Sequence, residues 1–208
     1  MRILVFGASG HTGHEVVRQA LARQHAVTAF VRRPEKLQVQ HDHLTVATGD
    51  VGDAAAVRRA VGGHDVVVST LGTVGLRHDQ VLIDGVGHIV AAMGEAGVKR
   101  LIYQSFIGVA ESRAAVGVIM RFIAPIPLRD QIRDHEAKEA IVKASQTDWT
   151  IVRPPKLTDG PATGAYRAGE DITTRAPMPT LSRADVAAFI VREIEQPAYV
   201  RKMPRLLR

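Results

Sequence analysis

The sequence contains no cysteine and no long apolar run. Without cysteine among its 208 residues, the chain can form neither disulfides nor cysteine-ligated metal sites, and it has no thiol nucleophile. No apolar stretch approaches the roughly 20 residues of a membrane span, and the first residues resemble a strand rather than a signal peptide. The loop His41-Asp42-His43 lacks a partner cluster, so it predicts a solvated turn rather than a metal site. We therefore expect a cytoplasmic protein that binds no metal and no membrane.

Aromatic residues are also scarce, at 4% of the chain, while the formal net charge is +6. A positive charge can attract nucleic acid, but proteins that bind nucleic acid use features such as a basic helix or repeated stacking aromatics. The sequence shows neither pattern. The same charge attracts small anionic molecules to a protein surface. We therefore expect a small-molecule partner and no nucleic acid.

A glycine pattern close to the N-terminus is the strongest motif. Residues 2–6 form a short apolar run typical of a buried parallel strand, and Gly7, Gly10 and Gly13 follow before helical periodicity starts at residues 15–23. The order of strand, glycine turn and helix is typical of dinucleotide binding. In such a loop the first glycine forms the tight turn, the second lets the backbone approach a pyrophosphate, and the third lets the helix pack on the strand.

Two arginines follow the second predicted strand, residues 26–31. Folds that prefer NAD place an acidic residue at this position for the ribose hydroxyls, whereas arginine accommodates the 2′-phosphate of NADP. Here Arg32 and Arg33 occupy the position. The pair predicts NADPH rather than NADH, and the alternative is that both are solvated loop charges.

Strands and helices alternate along the rest of the chain. Further strands are predicted at 44–47, 65–69, 98–103 and 149–153, and further helices at 54–61, 79–95, 131–145 and 182–195. This alternation predicts an α/β fold with a Rossmann-type, doubly wound parallel sheet and helices on both faces. A composition of 46% hydrophobic and 23% charged residues is ordinary for a globular domain. We expect a single domain over residues 1–208.

Several segments interrupt or end this pattern. Residues 106–130 and 156–180 are predicted to be substrate-side insertions, the latter forming a small C-terminal substrate region of loops and short strands. Within the first insertion, residues 116–126 fit a buried helix, a lid or an oligomer surface equally well. Ser182 and Asp185 resemble a helix capping box. The basic residues 201–208 are predicted to fray.

Ligands bind to such a sheet beyond the carboxyl ends of its strands. Candidate residues follow those ends at residues 7–13, Arg32, Asp50, residues 71–73 and Ser105. We therefore expect these residues to line one edge of the sheet.

Three short motifs in addition to the glycine loop carry a family resemblance. They are Gly49-Asp50-Val51, Leu71-Gly72-Thr73 and Trp149-Thr-Ile-Val-Arg-Pro-Pro155. With them the chain resembles the atypical short-chain dehydrogenase superfamily of NAD(P)-binding, NmrA-like proteins. Residues 154–166 are most similar to the Pro-Pro…Gly-Ala-Tyr region of the flavin reductase (biliverdin-IXβ reductase) family, as are residues 71–73 and Asp134-His135. The resemblance covers nearly the whole chain except 106–130.

The resemblance implies an NADPH-dependent oxidoreductase that acts on a flavin, tetrapyrrole or quinone-like acceptor. It implies that the pyrophosphate is held by Gly7, Ser9, Gly10, His11, Thr12 and Gly13. Arg32, with Arg33, would bind the 2′-phosphate, and Asp50 and Val51 would flank the adenine. Leu71, Gly72 and Thr73 would contact the inner ribose and phosphates, with Pro154 and Pro155 near the nicotinamide. Ser105 and His135 would form the polar pair near the substrate.

One feature of ordinary short-chain dehydrogenases is missing. Those enzymes use a Tyr-x-x-x-Lys pair, whereas the predicted helix 131–145 contains Lys138 and Lys143 but no tyrosine. Alcohol oxidation therefore lacks its usual base, whereas flavin reduction mainly requires two rings held face to face. His135 is a candidate proton donor because imidazole titrates near neutral pH, or else a helix-surface residue. Ser105 either binds a substrate carbonyl or satisfies backbone groups.

The missing tyrosine leaves alternatives open. A non-catalytic NADP(H) sensor of the NmrA type also lacks the tyrosine–lysine pair. A nucleotide-sugar epimerase or dehydratase is less favoured, because it needs that tyrosine and a larger substrate region. Tyr166 is predicted to pack rather than stack on a ring, and either a monomer or a small homo-oligomer is compatible with the sequence.

Overall fold

The computed structural model describes residues 1–72, 78–115 and 128–208. The described residues hold five α-helices and ten strands. The strands are β1 (Arg2–Phe6), β2 (Ala26–Val31), β3 (Leu44–Thr48), β4 (Val66–Ser69), β5 (Arg100–Gln104), β6 (Asp148–Val152), β7 (Lys156–Thr158), β8 (Arg167–Gly169), β9 (Thr180–Ser182) and β10 (Arg205–Leu207). The helices are α1 (His11–Ala22), α2 (Ala54–Val61), α3 (Gln80–Ala96), α4 (Arg129–Ala144) and α5 (Arg183–Glu195).

The first six strands form one parallel sheet in the order β3-β2-β1-β4-β5-β6. The chain moves outward from β1 to β3 and then returns to the other side of β1 at β4. In doubly wound sheets, the ligand crevice opens beyond the carboxyl ends of the strands at this change of direction. The predicted Rossmann-type fold is therefore confirmed, and the crevice lies between the ends of β1 and β4.

Side chains of the central strand alternate between two hydrophobic layers. Ile3 and Val5 pack into the layer that contains apolar residues of α1 and α5. Leu4 and Phe6 pack into the opposite layer, with residues of α2, α3 and α4. All four side chains are fully buried, as expected for a sheet covered on both faces by helices.

The helix ends follow the chemistry of their capping residues. Asp53 accepts hydrogen bonds from the first backbone N–H groups of α2. Gly97 ends α3 in the left-handed conformation, with φ of 71°, where glycine carries no steric cost. Ser182 accepts a hydrogen bond from the backbone N–H of Asp185 at the start of α5, as predicted.

Element boundaries differ from the predictions by two or more residues at two helix starts and one strand start. α1 begins at His11 rather than residue 15, so the last glycine of the motif lies inside the helix. The first turn of α1 is polar, so apolar periodicity does not predict where this helix begins. α4 begins at Arg129 rather than 131, and β5 begins at Arg100 rather than 98. Such boundaries are the least certain part of a sequence-based assignment.

The C-terminal residues are ordered into the fold, so the expectation of a frayed tail is wrong. β10 pairs antiparallel with β8, and Leu206 and Leu207 are fully buried. The prediction of a frayed tail was based on its positive charge and did not consider these two apolar residues. β7 and β9 form a separate parallel pair within the predicted substrate-side region.

Of the other predicted insertion, the structure describes residues 106–115 and 128–130, and Ala110–Ala115 form a 3₁₀ helix. The predicted lid, helix or interface at 116–126 lies outside the described residues. Within the described ranges, none of the helices is both long and apolar enough to cross a membrane.

Candidate active site

The loop between β1 and α1 requires glycine at two positions. Gly7 has a φ of +78°, in the left-handed region that other residues rarely adopt. A Cβ atom added at Gly13 would lie 2.2 Å from the Gly7 carbonyl oxygen, so the first turn of α1 packs directly on the loop. The backbone N–H of Gly10 closes the turn by donating to that same oxygen at 2.9 Å.

The N-terminus of α1 is suited to an anion. Its N-cap residue, Gly10, makes no side-chain capping bond, and the first turn contains no acidic residue. The first N–H groups of a helix have no partner within the helix and carry partial positive charge. Ser9 and His11 lie at the surface of the loop, whereas Thr12 and Gly13 are buried behind it. This is the arrangement with which helices bind phosphate groups.

A cleft of about 740 Å³ opens from this loop along the carboxyl edge of the sheet. We call it the Arg32 cleft; it is lined by Gly7, Ser9, Gly10, His11, Phe30, Val31, Arg32, Arg33, Lys36, Gly49, Asp50, Val51, Thr70, Leu71, Gly72, Asp79, Val81 and Leu82. Three cations, Arg32, Arg33 and Lys36, stand at one end. Lys36 was not predicted, although it follows the arginine pair in the same short turn and its charge was a usable signal.

The lining of the Arg32 cleft also includes carboxylates, Asp50 and Asp79, and apolar side chains. Asp50 accepts a hydrogen bond from the backbone N–H of Gly52 at 2.8 Å, and its other oxygen lies 3.7 Å from Arg32 Nη1. Val51 and Val81 add apolar surface next to it. Val81 was missed because an apolar residue at a helix start looks like an ordinary core residue. An adenine ring fits such a lining, since it has apolar faces and polar edges.

Thr70, Leu71 and Gly72 connect the Arg32 cleft to a second cavity, because the three residues line both. The Thr70 hydroxyl donates a hydrogen bond to the Phe6 carbonyl at 3.1 Å, so this segment is fixed to the end of β1. The predicted site residue Thr73 lies outside the described residues.

The second cavity has a volume of about 320 Å³. We call it the Ser105 cavity; it is lined by Thr70, Leu71, Gly72, Gln104, Ser105, Phe106, Ile107, Leu128, Gln131, His135, Pro154, Pro155, Lys156 and Leu157. These residues come from the carboxyl ends of β4, β5 and β6, from β7, and from α4 with its N-cap residue. The predicted residues Ser105, His135, Pro154 and Pro155 are therefore brought together. Gln104 and Gln131 are polar wall residues that the motif comparison did not indicate.

A buried ion pair fixes the proline wall of the Ser105 cavity. Arg153, directly before Pro154, donates from Nε to Glu139 Oε1 at 3.0 Å and from Nη2 to Oε2 at 2.5 Å. Both side chains are 1% exposed. A third contact joins Arg153 to Glu111 in the 3₁₀ helix. The end of β6 is thus bound to α4 and to residues 110–115, a network that sequence reasoning did not detect.

His135 lies in a water-poor environment at the cavity wall. Its Nδ1 atom is 3.3 Å from the Tyr103 hydroxyl and 3.4 Å from the Ser105 hydroxyl, and the Phe106 ring packs edge-on against the imidazole. Burial, assisted by the charge of Lys138 and opposed by Asp134, lowers the pKa of His135 to about 3. The ring is therefore neutral near pH 7, and titration near neutral pH no longer supports a role as proton donor.

The lysine of α4 does not substitute for the missing tyrosine–lysine pair. Lys138 is fully buried, and its ammonium has no hydrogen-bond partner among the described residues. It does not line the Ser105 cavity. Burial lowers the Lys138 pKa, and Asp134 and Asp79 oppose that shift. Asp134 itself accepts from His78 and from the backbone N–H of Asp79 at 2.8 Å, so it joins α4 to the start of α3.

Tyr166 packs rather than facing a ligand, as predicted. Its ring meets Phe189 edge-on at 6.4 Å between ring centres, and the Arg192 guanidinium lies 6.0 Å from the ring centre. Tyr166 lines neither the Arg32 cleft nor the Ser105 cavity. It belongs to the packing between the C-terminal region and α5.

Comparisons with known proteins agree with a nucleotide-binding fold. Residues 7–197 match the family model described as NAD(P)H-binding. A curated relative from Streptomyces griseus, (4-alkanoyl-5-oxo-2,5-dihydrofuran-3-yl)methyl phosphate reductase, is 31% identical over 194 residues, covering 91% of this chain and 61% of that protein. The chain thus spans about three-fifths of that relative's length.

Solved structures show the same architecture. ChuY from Escherichia coli O157:H7, described as an anaerobilin reductase, superposes with a TM-score of 0.84 at 27% identity, covering 100% of this chain and 97% of that one. A short-chain dehydrogenase/reductase from Veillonella parvula, crystallised with NADP, has a TM-score of 0.80 at 18% identity, covering 100% and 94%. The second similarity supports the fold alone.

Proposed function

We propose that this chain, which belongs to the NAD(P)H-binding family, is an NADPH-dependent reductase that transfers hydride to a flavin or a similar conjugated ring acceptor. The observation that carries the proposal is the wall of Thr70, Leu71 and Gly72 shared by the Arg32 cleft and the Ser105 cavity. The Arg32 cleft has the features of a dinucleotide site. The Ser105 cavity, mostly apolar with a few polar groups, suits a planar organic acceptor.

The choice of NADPH rests on Arg32, Arg33 and Lys36. The guanidinium groups of Arg32 and Arg33 match phosphate geometry and make charge-assisted hydrogen bonds, and the Lys36 ammonium adds a point charge. The three cations would therefore bind the 2′-phosphate. The glycine loop and the N-terminus of α1 would bind the pyrophosphate. The requirement for glycine at Gly13, where a Cβ would collide with the loop, supports the fit.

The residues of the Ser105 cavity would position an acceptor and exclude water. NADPH, when bound, supplies the hydride that reduces the acceptor. Pro154 and Pro155 are buried and present a rigid apolar wall, and Phe106 and Leu157 add apolar surface. Ser105 offers a hydroxyl to an acceptor oxygen. Because the pKa of His135 is about 3, we assign the final protonation of the product to water.

Both named reductases support a conjugated acceptor. The substrate name of the Streptomyces griseus enzyme describes an unsaturated lactone with a ring oxo group and an alkanoyl substituent, which is a conjugated carbonyl system. ChuY is described as reducing anaerobilin. Both cases call for hydride delivery to a conjugated system rather than removal of a proton from an alcohol.

Steady-state oxidation of NADPH by the purified protein tests the proposal. Each assay contains FMN, a linear tetrapyrrole, a quinone or no acceptor. We expect oxidation that requires an added acceptor and is faster with NADPH than with NADH. Tight NADPH binding without turnover of any of the three acceptor classes would overturn the reductase proposal.

A second candidate is an NADP(H)-sensing regulator. The observation in its favour is that His135 is neutral and Lys138 does not line the Ser105 cavity, so neither supplies a conventional acid or base there. A regulator of this kind would capture a protein partner in a manner that depends on the ratio of NADP⁺ to NADPH. Ratio-dependent capture together with absent turnover would favour the sensor over the reductase.

A further inference from the structure

We propose that Tyr103 holds His135 in the neutral tautomer that carries its hydrogen on Nε2, so that His135 donates a hydrogen bond to an oxygen of the acceptor in the Ser105 cavity. The assignment of a partner for His135 rests on the proposed reductase function. The assignment of the tautomer does not, because it follows from the contacts of Tyr103. Tyr103 is accordingly a positioning residue.

Tyr103 lies on β5 and contacts His135 without itself lining the Ser105 cavity. Its side chain is fully buried, and its hydroxyl is 3.3 Å from His135 Nδ1. Ser105, two residues further along, places its hydroxyl 3.4 Å from the same nitrogen. Both distances are slightly longer than the usual hydrogen-bond range of about 2.7–3.2 Å. The two hydroxyls therefore converge on one side of the imidazole.

The burial of Tyr103 decides which atom carries the hydrogen. Among the described residues, His135 Nδ1 is the sole hydrogen-bond partner of the Tyr103 hydroxyl. Burial, together with the nearby charge of Glu139, raises the pKa of Tyr103 well above its usual value, so the phenol keeps its proton. A buried hydroxyl hydrogen without an acceptor is costly, so Nδ1 accepts it. A neutral imidazole whose Nδ1 accepts must carry its hydrogen on Nε2.

The neutral ring has a defined use in the proposed reaction. Hydride brings two electrons to the acceptor, and in a conjugated carbonyl the resulting negative charge develops on oxygen. An Nε2–H donor stabilises that charge without itself being ionised, in the manner of an oxyanion-hole donor. His135 keeps this hydrogen, because its loss would leave an imidazolate. The proton that completes the reaction therefore comes from water. The balance is NADPH, acceptor and one proton giving NADP⁺ and the dihydro product.

This role defines the acceptor class more narrowly. The preferred acceptor presents an oxygen on which charge develops, as a flavin or a quinone does. A phenazine cation, which takes the electrons on ring nitrogens, gains nothing from the Nε2–H donor. The difference between these two classes of acceptor provides an internal comparison in a kinetic test.

Nitrogen-15 NMR of the histidine rings tests the tautomer without any turnover. His135→Gln identifies the His135 signals by their loss, and Tyr199→Phe is the matched control because it also removes one tyrosine hydroxyl that makes a single hydrogen bond. We expect the Nε2–H tautomer in the wild type and in Tyr199→Phe, and a mixture or the Nδ1–H form in Tyr103→Phe. An Nδ1–H tautomer in the wild type, or no change in Tyr103→Phe, would overturn the proposal.

Ser105→Ala provides a second test should Tyr103→Phe fail to fold. Because Tyr103 sets the tautomer, removal of the Ser105 hydroxyl is expected to leave the Nε2–H form in place. A switch to the Nδ1–H form in Ser105→Ala would show that Ser105 rather than Tyr103 controls the ring, which contradicts the assignment.

Kinetics then test the consequence for the acceptor. We expect Tyr103→Phe to lower kcat with FMN by roughly tenfold, as for the loss of one well-placed hydrogen bond, with KM little changed. Turnover of a phenazine cation should not change. An equal loss with both acceptors would contradict the role of His135. If no acceptor is turned over, the reductase function fails, and the NMR result still decides the tautomer.

Discussion

The Arg32 cleft and the Ser105 cavity are neighbours on one sheet edge, yet they are built differently. The Arg32 cleft takes its glycine loop and its three cations from short segments directly after β1 and β2, and these three cations lie at the surface. The Ser105 cavity joins β5, α4 and β6, which are distant in sequence, and buried polar contacts hold them together. Local backbone geometry therefore determines the first region, and tertiary packing determines the second.

The largest expected effect concerns the ion pair behind the Ser105 cavity. Glu139→Gln leaves the buried Arg153 charge without its main partner, so we expect the free energy of unfolding to fall by about 3–5 kcal/mol. The matched control is Glu95→Gln, whose carboxylate pairs with Arg58 at the surface. Its loss should stay below about 1 kcal/mol. Urea unfolding measures the free energy of unfolding of both variants. Equal losses would contradict the expectation that the buried Arg153–Glu139 pair contributes more than the surface pair.

This contrast also explains what the sequence could predict. The strand–glycine turn–helix unit at the N-terminus and the parallel, doubly wound sheet were predicted correctly, because each follows from patterns in neighbouring residues. The role of the arginine pair in binding a 2′-phosphate stays a prediction. The Arg153–Glu139 pair was not predicted, since 14 positions separate the two residues and isolated charges usually mark a solvated surface. The same reasoning misjudged the environment of His135, because its burial depends on β5 and on Phe106. Leu206 and Leu207 were likewise concealed by the basic residues around them.

The second-largest effect is expected on NADPH binding in the Arg32 cleft. Gly13→Ala places a methyl group 2.2 Å from the Gly7 carbonyl oxygen, which forces α1 away from the loop. We expect NADPH affinity to weaken by about 2–3 kcal/mol, as for an overpacked site. Gly87→Ala in α3 meets no atom within 4 Å, so it should stabilise the fold by about 0.5–1 kcal/mol. Calorimetric titration with NADPH measures the affinities, and unchanged affinity in Gly13→Ala would contradict the assigned phosphate site.

A third prediction separates the two cofactors. Arg32→Ala removes a guanidinium from the proposed 2′-phosphate site, with an expected loss of about 1.5–3 kcal/mol in NADPH binding. NADH lacks the 2′-phosphate, so its affinity should remain nearly the same. Fluorescence titration with each nucleotide provides the comparison. Equal losses for NADPH and NADH would contradict the 2′-phosphate assignment.

The smallest effect is expected on the free energy of unfolding when Asp185 is replaced. Asp185 lines neither the Arg32 cleft nor the Ser105 cavity. Its buried carboxylate accepts hydrogen bonds from the backbone N–H groups of Thr163 and Gly164 and from the Ser182 hydroxyl. Burial raises the Asp185 pKa, but the hydrogen bonds from Gly164, Ser182 and Thr163 outweigh it and bring the pKa below its usual value. At neutral pH, Asp185→Asn should therefore cost about 1–2 kcal/mol of unfolding free energy.

The pH dependence of that cost follows from the lowered pKa. A carboxyl group whose pKa is lower in the folded state stabilises the fold above its unfolded pKa, near 3.9. That contribution is lost as pH falls through the folded pKa. The difference in unfolding free energy between wild type and Asp185→Asn should therefore shrink in acid. A difference that stays constant or grows as pH is lowered would contradict the contribution of the carboxylate.

An anaerobic single-turnover experiment tests most directly whether the Arg32 cleft and the Ser105 cavity form one active site. Protein saturated with NADPH is mixed with FMN, and the absorbances of the nicotinamide and the flavin are followed together. We expect both absorbances to bleach with the same rate constant and in a one-to-one ratio. Persistent NADPH absorbance in the presence of excess FMN would contradict it.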